Sequence, residues 1–156
     1  NPDIHRTTTA LEILEQMNGD LDAFVATAGT GGTITGTGET LKEHIPCLFI
    51  TVVEPKGSPV LSGGKPCKHK LVGTSPGFIP DILNTKVYDV IMQISDEDAI
   101  EVFKKLAREE GVFVGPSVGA ADYAAIEIAQ RLGKGKKVLC IAPDTGERYL
   151  SMNLFD

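Results

Sequence analysis

The chain lacks most of the short motifs that announce a function. No Gly-Lys-Ser or Gly-Lys-Thr tripeptide occurs, which excludes a P-loop. The dinucleotide pattern GxGxxG also fails, because counting from Gly29 and Gly31 puts Ile34 where the third glycine belongs. Cysteine is scarce and scattered: Cys47, Cys67 and Cys140 form no CxxC pair, and reduced, mostly buried thiols of a cytoplasmic protein are the expectation. His5, His44 and His69 are just as scattered, so no metal site is expected. No apolar run reaches the length of a membrane span, and no signal-peptide pattern opens the chain. Positive charge is in deficit, 15 Lys and Arg against 21 Asp and Glu, and the net charge of −6 argues against nucleic acid or an anionic membrane as partner. An initiator methionine is missing as well. The opening Asn1-Pro2-Asp3-Ile4-His5 reads as the interior of a longer protein, whether nicked, processed or cut by design.

What is present suits a folded domain. A chain of 156 residues, 42% hydrophobic and 23% charged, reads as one domain (1–156) able to bury a core. Its most informative stretch is Ala28-Gly29-Thr30-Gly31-Gly32-Thr33-Ile34-Thr35-Gly36. The apolar run Ala23-Phe24-Val25-Ala26-Thr27 before it reads as a buried strand, and Glu39 to Glu43 after it reads as helix. Strand, glycine turn and helix start together make an anion site. Glycines admit a phosphate close to the backbone, first-turn N–H groups point at it, and the helix dipole favours negative charge there. Thr30 and Thr33 add hydroxyl donors without bulk. A tight turn with no ligand is the alternative reading of the same residues.

The rest of the chain alternates helix and strand. Thr7 to Gln16 carries apolar positions at Ala10, Leu11 and Leu14, a short amphipathic helix stopped by Asn18-Gly19. Leu48 to Val53 is a nearly continuous apolar run rich in β-branched residues, as expected of a parallel strand covered on both faces. Glu54 to Lys86 is rich in Gly, Pro, Ser and Lys and reads as a long functional or mobile loop. Val87 to Ile94 reads as strand, and Ser95-Asp96-Glu97-Asp98 caps a helix to Glu110 with Ala99, Ile100, Phe103, Leu106 and Ala107 on one face. Val112-Phe113-Val114 reads as a short strand, Ser117 to Leu132 as an Ala-rich helix and Lys137 to Ala142 as a last strand.

This alternation predicts an α/β fold, an open, mostly parallel sheet with helices on both faces. Ligands of such sheets sit beyond the carboxyl ends of the strands. Three glycine-containing turns, Gly29 to Thr33, Gly115 to Gly119 and Pro143 to Gly146, are predicted to meet on that edge. Each has a simpler reading: Ser117, Asp144 and Thr145 can be plain helix caps, and Arg148 and Tyr149 surface residues.

Taken together, the motifs carry a resemblance. Gly29-Thr30-Gly31-Gly32-Thr33, Glu54-Pro55, Gly77-Phe78-Ile79-Pro80, Glu109-Glu110-Gly111, Gly115-x-Ser117-x-Gly119-Ala120 and Pro143-Asp144-Thr145-Gly146-Glu147-Arg148-Tyr149-Leu150-Ser151 stand in one order along nearly the whole chain. In that order and spacing they resemble the cysteine synthase (O-acetylserine sulfhydrylase) and cystathionine β-synthase family of fold-type II pyridoxal-phosphate enzymes, of the tryptophan synthase β-like fold. The ending Gly146 to Ser151 is closer to cysteine synthase than to the animal cystathionine β-synthases. The resemblance implies that Gly29, Thr30, Gly31, Gly32 and Thr33 bind the phosphate of pyridoxal 5'-phosphate. It further implies that Ser117 meets the pyridine nitrogen, that Asp144 and Thr145 lie near that end of the ring, and that Gly73 sits on the loop near the substrate amine. A neutral serine at the ring nitrogen moderates the electron sink and suits elimination and replacement at Cβ. Thr74, Ser75 and Pro76 depart from the Ile-Gly-Ala of many cysteine synthases, and Val118 stands where a second serine is common.

The resemblance also implies what is absent. The family's Schiff-base lysine lies in its N-terminal half, and none of the eleven lysines here falls in a matching motif. The chain therefore resembles the C-terminal half, with no catalytic residue of its own. The reaction implied for the intact enzyme is β-replacement through an aminoacrylate: O-acetylserine plus sulfide gives cysteine plus acetate. Cystathionine β-synthase and serine or threonine dehydratase are the alternatives within the family. A non-catalytic half that binds pyridoxal phosphate or a partner protein is the alternative of another class. The partners implied are the small-molecule substrate, a complementary N-terminal half, a second copy in a homodimer and serine acetyltransferase. A lone half exposes apolar sheet edge, so pairing or oligomerisation is expected.

Overall fold

A computed structural model describes residues 1–154. Helix α1 (Pro2–Ile4) continues through a π-helical turn (His5–Thr9) into α2 (Ala10–Gln16). Then follow β1 (Ala23–Thr27), α3 (Gly32–His44), β2 (Phe49–Pro55), β3 (Val90–Ile94), α4 (Asp96–Glu109), α5 (Pro116–Leu132), β4 (Val138–Cys140) and a 3-10 helix (Gly146–Met152). The four strands form one sheet in the order β3-β2-β1-β4, and every pairing is parallel. The α/β expectation therefore holds, and β1, the strand that feeds the glycine turn, is central.

Residue alternation along the strands sorts the core into two layers. Phe24 and Ala26 of β1, with Ile50 and Val52 of β2, pack against Ala10, Ile13, Ile34 and Leu41 from α2 and α3. Val25 and Val53 face the other way, onto Ala99 of α4 and Ala120, Ala124 and Ala125 of α5. Helices thus cover both faces. Alanine repeats on α5 let that helix approach the sheet closely, and Ser95 caps α4 by accepting the Asp98 N–H at 3.1 Å. At the amino-terminal edge, Asp22 accepts from the Lys137 N–H at 2.8 Å and pairs with Lys136 at 2.9 Å, tying β1 to β4.

Some local expectations are corrected. The first helix begins at Pro2 rather than Thr7, and its buried positions are Ala10 and Ile13, with Leu11 exposed. Within regular α2, Ala10, Ile13 and Leu14 are three and four residues apart and share the core face, which leaves Leu11 off it. Val112 to Val114 forms no sheet strand; Val114 makes one isolated antiparallel bridge to Thr145. Cys47 and Cys67 are exposed and only Cys140 is partly covered, against the buried thiols expected. Tyr149 is buried, against the surface position expected, because its ring packs with Phe103 and Leu154. No helix of the described residues is long and apolar enough to cross a membrane.

Candidate functional site

The glycine turn leaves β1 at its carboxyl end and enters α3 at Gly32, so the turn itself supplies the start of the helix. Gly31 has φ +86°, a left-handed conformation that a side chain resists, and any Cβ there would meet Leu83 at 2.7 Å. Gly29 is needed for a different reason. A Cβ on it would lie 2.4 Å from the Gly73 carbonyl oxygen, so two stretches of main chain touch there. Around this contact lies a cavity of about 240 Å³ lined by Thr27, Gly29 to Thr33, Gly73 and Pro143. The first N–H groups of α3 have no partner within the helix and are directed toward its amino end. A 13-residue helix adds its dipole at the same place.

No lysine or arginine lines this cavity, so main-chain dipoles and hydroxyls are the donors it offers. One ionisable group stands behind it. The His5 imidazole bridges the Thr9 hydroxyl at 2.9 Å and the Thr33 hydroxyl at 3.3 Å, one ring nitrogen donating and the other accepting. Burial lowers its pKa from the ordinary 6.5, which favours the neutral ring able to play both roles. His5 escapes the sequence reading, which places Pro143 only within the Pro143 to Gly146 turn. A histidine and a threonine so far apart in the chain carry no shared motif, although the one-turn spacing of His5 and Thr9 fits an intrahelical bond.

The second group of expected residues gathers in an adjoining corner. Ser117 is buried in the first turn of α5, behind Pro116 and the extended N-cap Gly115. A Cβ on Gly115 would strike the Asp144 carboxylate at 2.3 Å and the Tyr149 ring at 2.7 Å, so α5 starts hard against the chain that leaves β4. Asp144 Oδ2 accepts a short hydrogen bond from the Tyr149 hydroxyl. Burial first, and then that bond, push the Tyr149 hydroxyl up to about 12. Asp144 Oδ1 is buried with no partner among the described residues. Thr145 precedes the 3-10 helix, exposed, and is fixed by its bridge to Val114.

The structure thus brings Gly29, Thr30, Gly31, Gly32, Thr33 and Gly73 into one cavity. Ser117, Asp144 and Thr145 do not line it; Asp144 lies against Gly115, two residues before Ser117, and its chain neighbour Pro143 does line the cavity. A phosphate fits the first part by its donors: Thr30, Thr33 and the start of α3 line the cavity, and no carboxylate does.

Fold and site define the class, an open parallel α/β protein with a glycine- and threonine-lined cavity at its strand ends, and the family follows. The chain belongs to the pyridoxal-phosphate dependent enzyme family, whose model matches residues 1–144. It is 64% identical to a probable cysteine synthase of Bacillus subtilis (strain 168) over 158 residues, covering 99% of this chain and 51% of that protein. An O-acetyl serine sulfhydrylase isoform 3 of Entamoeba histolytica superposes with a TM-score of 0.95 at 39% identity, over 99% of this chain and 47% of that one. An O-acetylserine dependent cystathionine beta-synthase of Helicobacter pylori gives a TM-score of 0.94 at 42% identity, over 99% of this chain and 50% of that one. The chain therefore spans about half the length of the relatives it matches.

Proposed function

We propose that this chain is the cofactor-cradling half of a cysteine synthase-type enzyme that replaces the acetyl-bearing oxygen of O-acetylserine with sulfide, giving cysteine and acetate. The observation that carries the reading is the Gly29 to Thr33 turn at the end of β1, backed by 64% identity to a probable cysteine synthase. Pyridoxal 5'-phosphate, when bound, supplies the electron sink for chemistry at Cα and Cβ of the amino acid. Gly29 to Thr33 bind the phosphate through main-chain N–H groups and the Thr30 and Thr33 hydroxyls. His5 orients the Thr33 hydroxyl. Ser117, neutral and buried, offers its hydroxyl to the pyridine nitrogen, and Asp144 and Thr145 hold the same end of the ring. Gly73 walls the cavity on the side of the substrate amine. The proton transfers at Cα belong to a lysine in a complementary N-terminal half.

That half, a second copy in a homodimer and serine acetyltransferase are the protein partners proposed. Supply of the N-terminal half of the Bacillus subtilis relative in trans tests the reading. Cysteine formation from O-acetylserine and sulfide that needs both pieces supports it; binding of pyridoxal phosphate without turnover by the assembled pair leaves a non-catalytic half. A cystathionine-forming reaction is the second reading. The Helicobacter pylori neighbour supports it, and the Thr74-Ser75-Pro76 departure beside Gly73 leaves the sulfur acceptor open to either. Faster turnover with homocysteine than with sulfide would decide for it.

A further inference from the structure

The loop from β2 to β3 returns over the glycine turn at residues 73–77, where Gly73 has φ +84° and Gly77 φ +91°. Between them Ser75 also has a positive φ, +43°. The other non-glycine residues in this region are Asn18 and Asn153, a residue type that tolerates it. Serine has no such tolerance, and glycine would fit without strain. The position makes a set of bonds, of which only those of the hydroxyl need a serine. Its N–H donates to the Ala28 carbonyl at 2.9 Å, at the residue that opens the glycine turn. Its hydroxyl donates to the Ser58 carbonyl at 3.0 Å and lies 3.3 Å from the Ser58 hydroxyl. Ser58 is itself buried and holds the Cys67 N–H at 3.2 Å.

We infer that Ser75 is a positioning residue for the phosphate-bearing ligand. It pins the 73–77 loop to the end of β1 on one side and to the Ser58 turn on the other. The pin sets where Gly73 stands, and Gly73 is both a wall of the 240 Å³ cavity and the main-chain contact of Gly29. Left-handed strain at Ser75 is retained because the hydroxyl is needed to close the loop over the phosphate turn. The inference rests on the reading of that cavity as the phosphate site.

The test compares Ser75→Gly and Ser75→Ala with the parent chain. Glycine relieves the strain and removes the hydroxyl, so a merely structural serine predicts a protein at least as stable with unchanged affinity. The positioning role predicts opposite movements: Tm holds or rises in Ser75→Gly while affinity for pyridoxal 5'-phosphate falls about fivefold, the worth of one hydrogen bond. Ser75→Ala keeps the strain, loses the same affinity and lowers Tm. Amide hydrogen exchange without ligand supplies a second readout, since the Ser75 N–H held by Ala28 exchanges faster once the hydroxyl is gone. Equal affinity in parent and Ser75→Gly overturns the role of Ser75 alone. A parent chain that binds neither pyridoxal phosphate nor inorganic phosphate overturns the site reading, and this role with it.

Discussion

The groove between α4 and α5 and the cavity at the strand ends are of similar size, about 350 and 240 Å³, and differ in their chemistry. Asp98, Glu101, Glu109, Glu110, Asp122 and Glu127 line the groove, with Lys105 as its single cation. The strand-end cavity is lined by glycines, threonines and a proline, with no carboxylate. An anion entering the groove meets net repulsion from six carboxylates against one lysine, whereas one entering the cavity meets a helix amino terminus. Of these two, the groove is the larger. The donors choose the cavity, and they are mostly backbone, which is why glycine rather than lysine marks the site.

The comparison breaks most sharply at Gly29. Gly29→Ala drives a methyl group into the Gly73 carbonyl, so the two loops must part. Affinity for pyridoxal phosphate should fall at least about tenfold, and the chain should lose about 1–3 kcal/mol of stability. Calorimetric titration and thermal melting read the two effects. Unchanged affinity would mean that the contact does not shape the site.

A second substitution separates the two corners of the strand-end site. Tyr149→Phe takes the only bond from Asp144, leaving a carboxylate with neither oxygen partnered among the described residues. Denaturant unfolding should show a loss of about 1–3 kcal/mol, with phosphate affinity unmoved. A fall in affinity for inorganic phosphate would show that the two corners act as one.

The pH dependence sharpens the account of His5. Its pKa is lowered in the fold, so the unfolded chain binds a proton more readily than the folded one. The stability this gives is present above pH 6.5 and is lost as pH falls through 6.5 toward the folded value. Melting temperature should therefore decline from about pH 7.5 toward about pH 5.5, and His5→Gln should flatten that decline. An equal slope in the variant would assign the decline to other groups.

The smallest effect belongs to the groove. Burial, ahead of the influence of Glu110, raises the Asp122 pKa, so Asp122→Asn removes a charge the fold disfavours. Stability at neutral pH should hold or rise slightly, and affinity for the phosphorylated cofactor should not change. A loss of affinity would tie the groove to the site.

Much of this arrangement was legible in the sequence where local chemistry decides. β1 falls on Ala23 to Thr27 as read, since a fully buried parallel strand is written as an unbroken apolar run. The Ser95 cap and the Ala99–Phe103 face of α4 were equally plain, because cap and periodicity agree. The strand–glycine turn–helix sequence was legible too, and α3 starts at Gly32 straight out of the turn. What escaped was set by distant pieces of chain. Gly73 meets Gly29 through main chain alone, and His5 meets Thr33 across a π-helical turn, so neither leaves a periodic signature. Val112 to Val114 looked like a strand because it is apolar and β-branched, yet the sheet has no place for it, and Val114 pairs with Thr145 instead. Tyr149 read as surface because its partners, Asp144, Phe103 and Leu154, come together only in the fold.

The central claim is that the Gly29 to Thr33 turn holds the phosphate of pyridoxal 5'-phosphate. Amide chemical shifts of the labelled chain, titrated in parallel with pyridoxal 5'-phosphate and with pyridoxal, test it most directly. The account predicts that the Gly29 to Thr33 and Gly73 amides move with the phosphorylated compound and stay still with pyridoxal at the same concentration. Equal shifts with both compounds, or shifts confined to the α4–α5 groove, would contradict it.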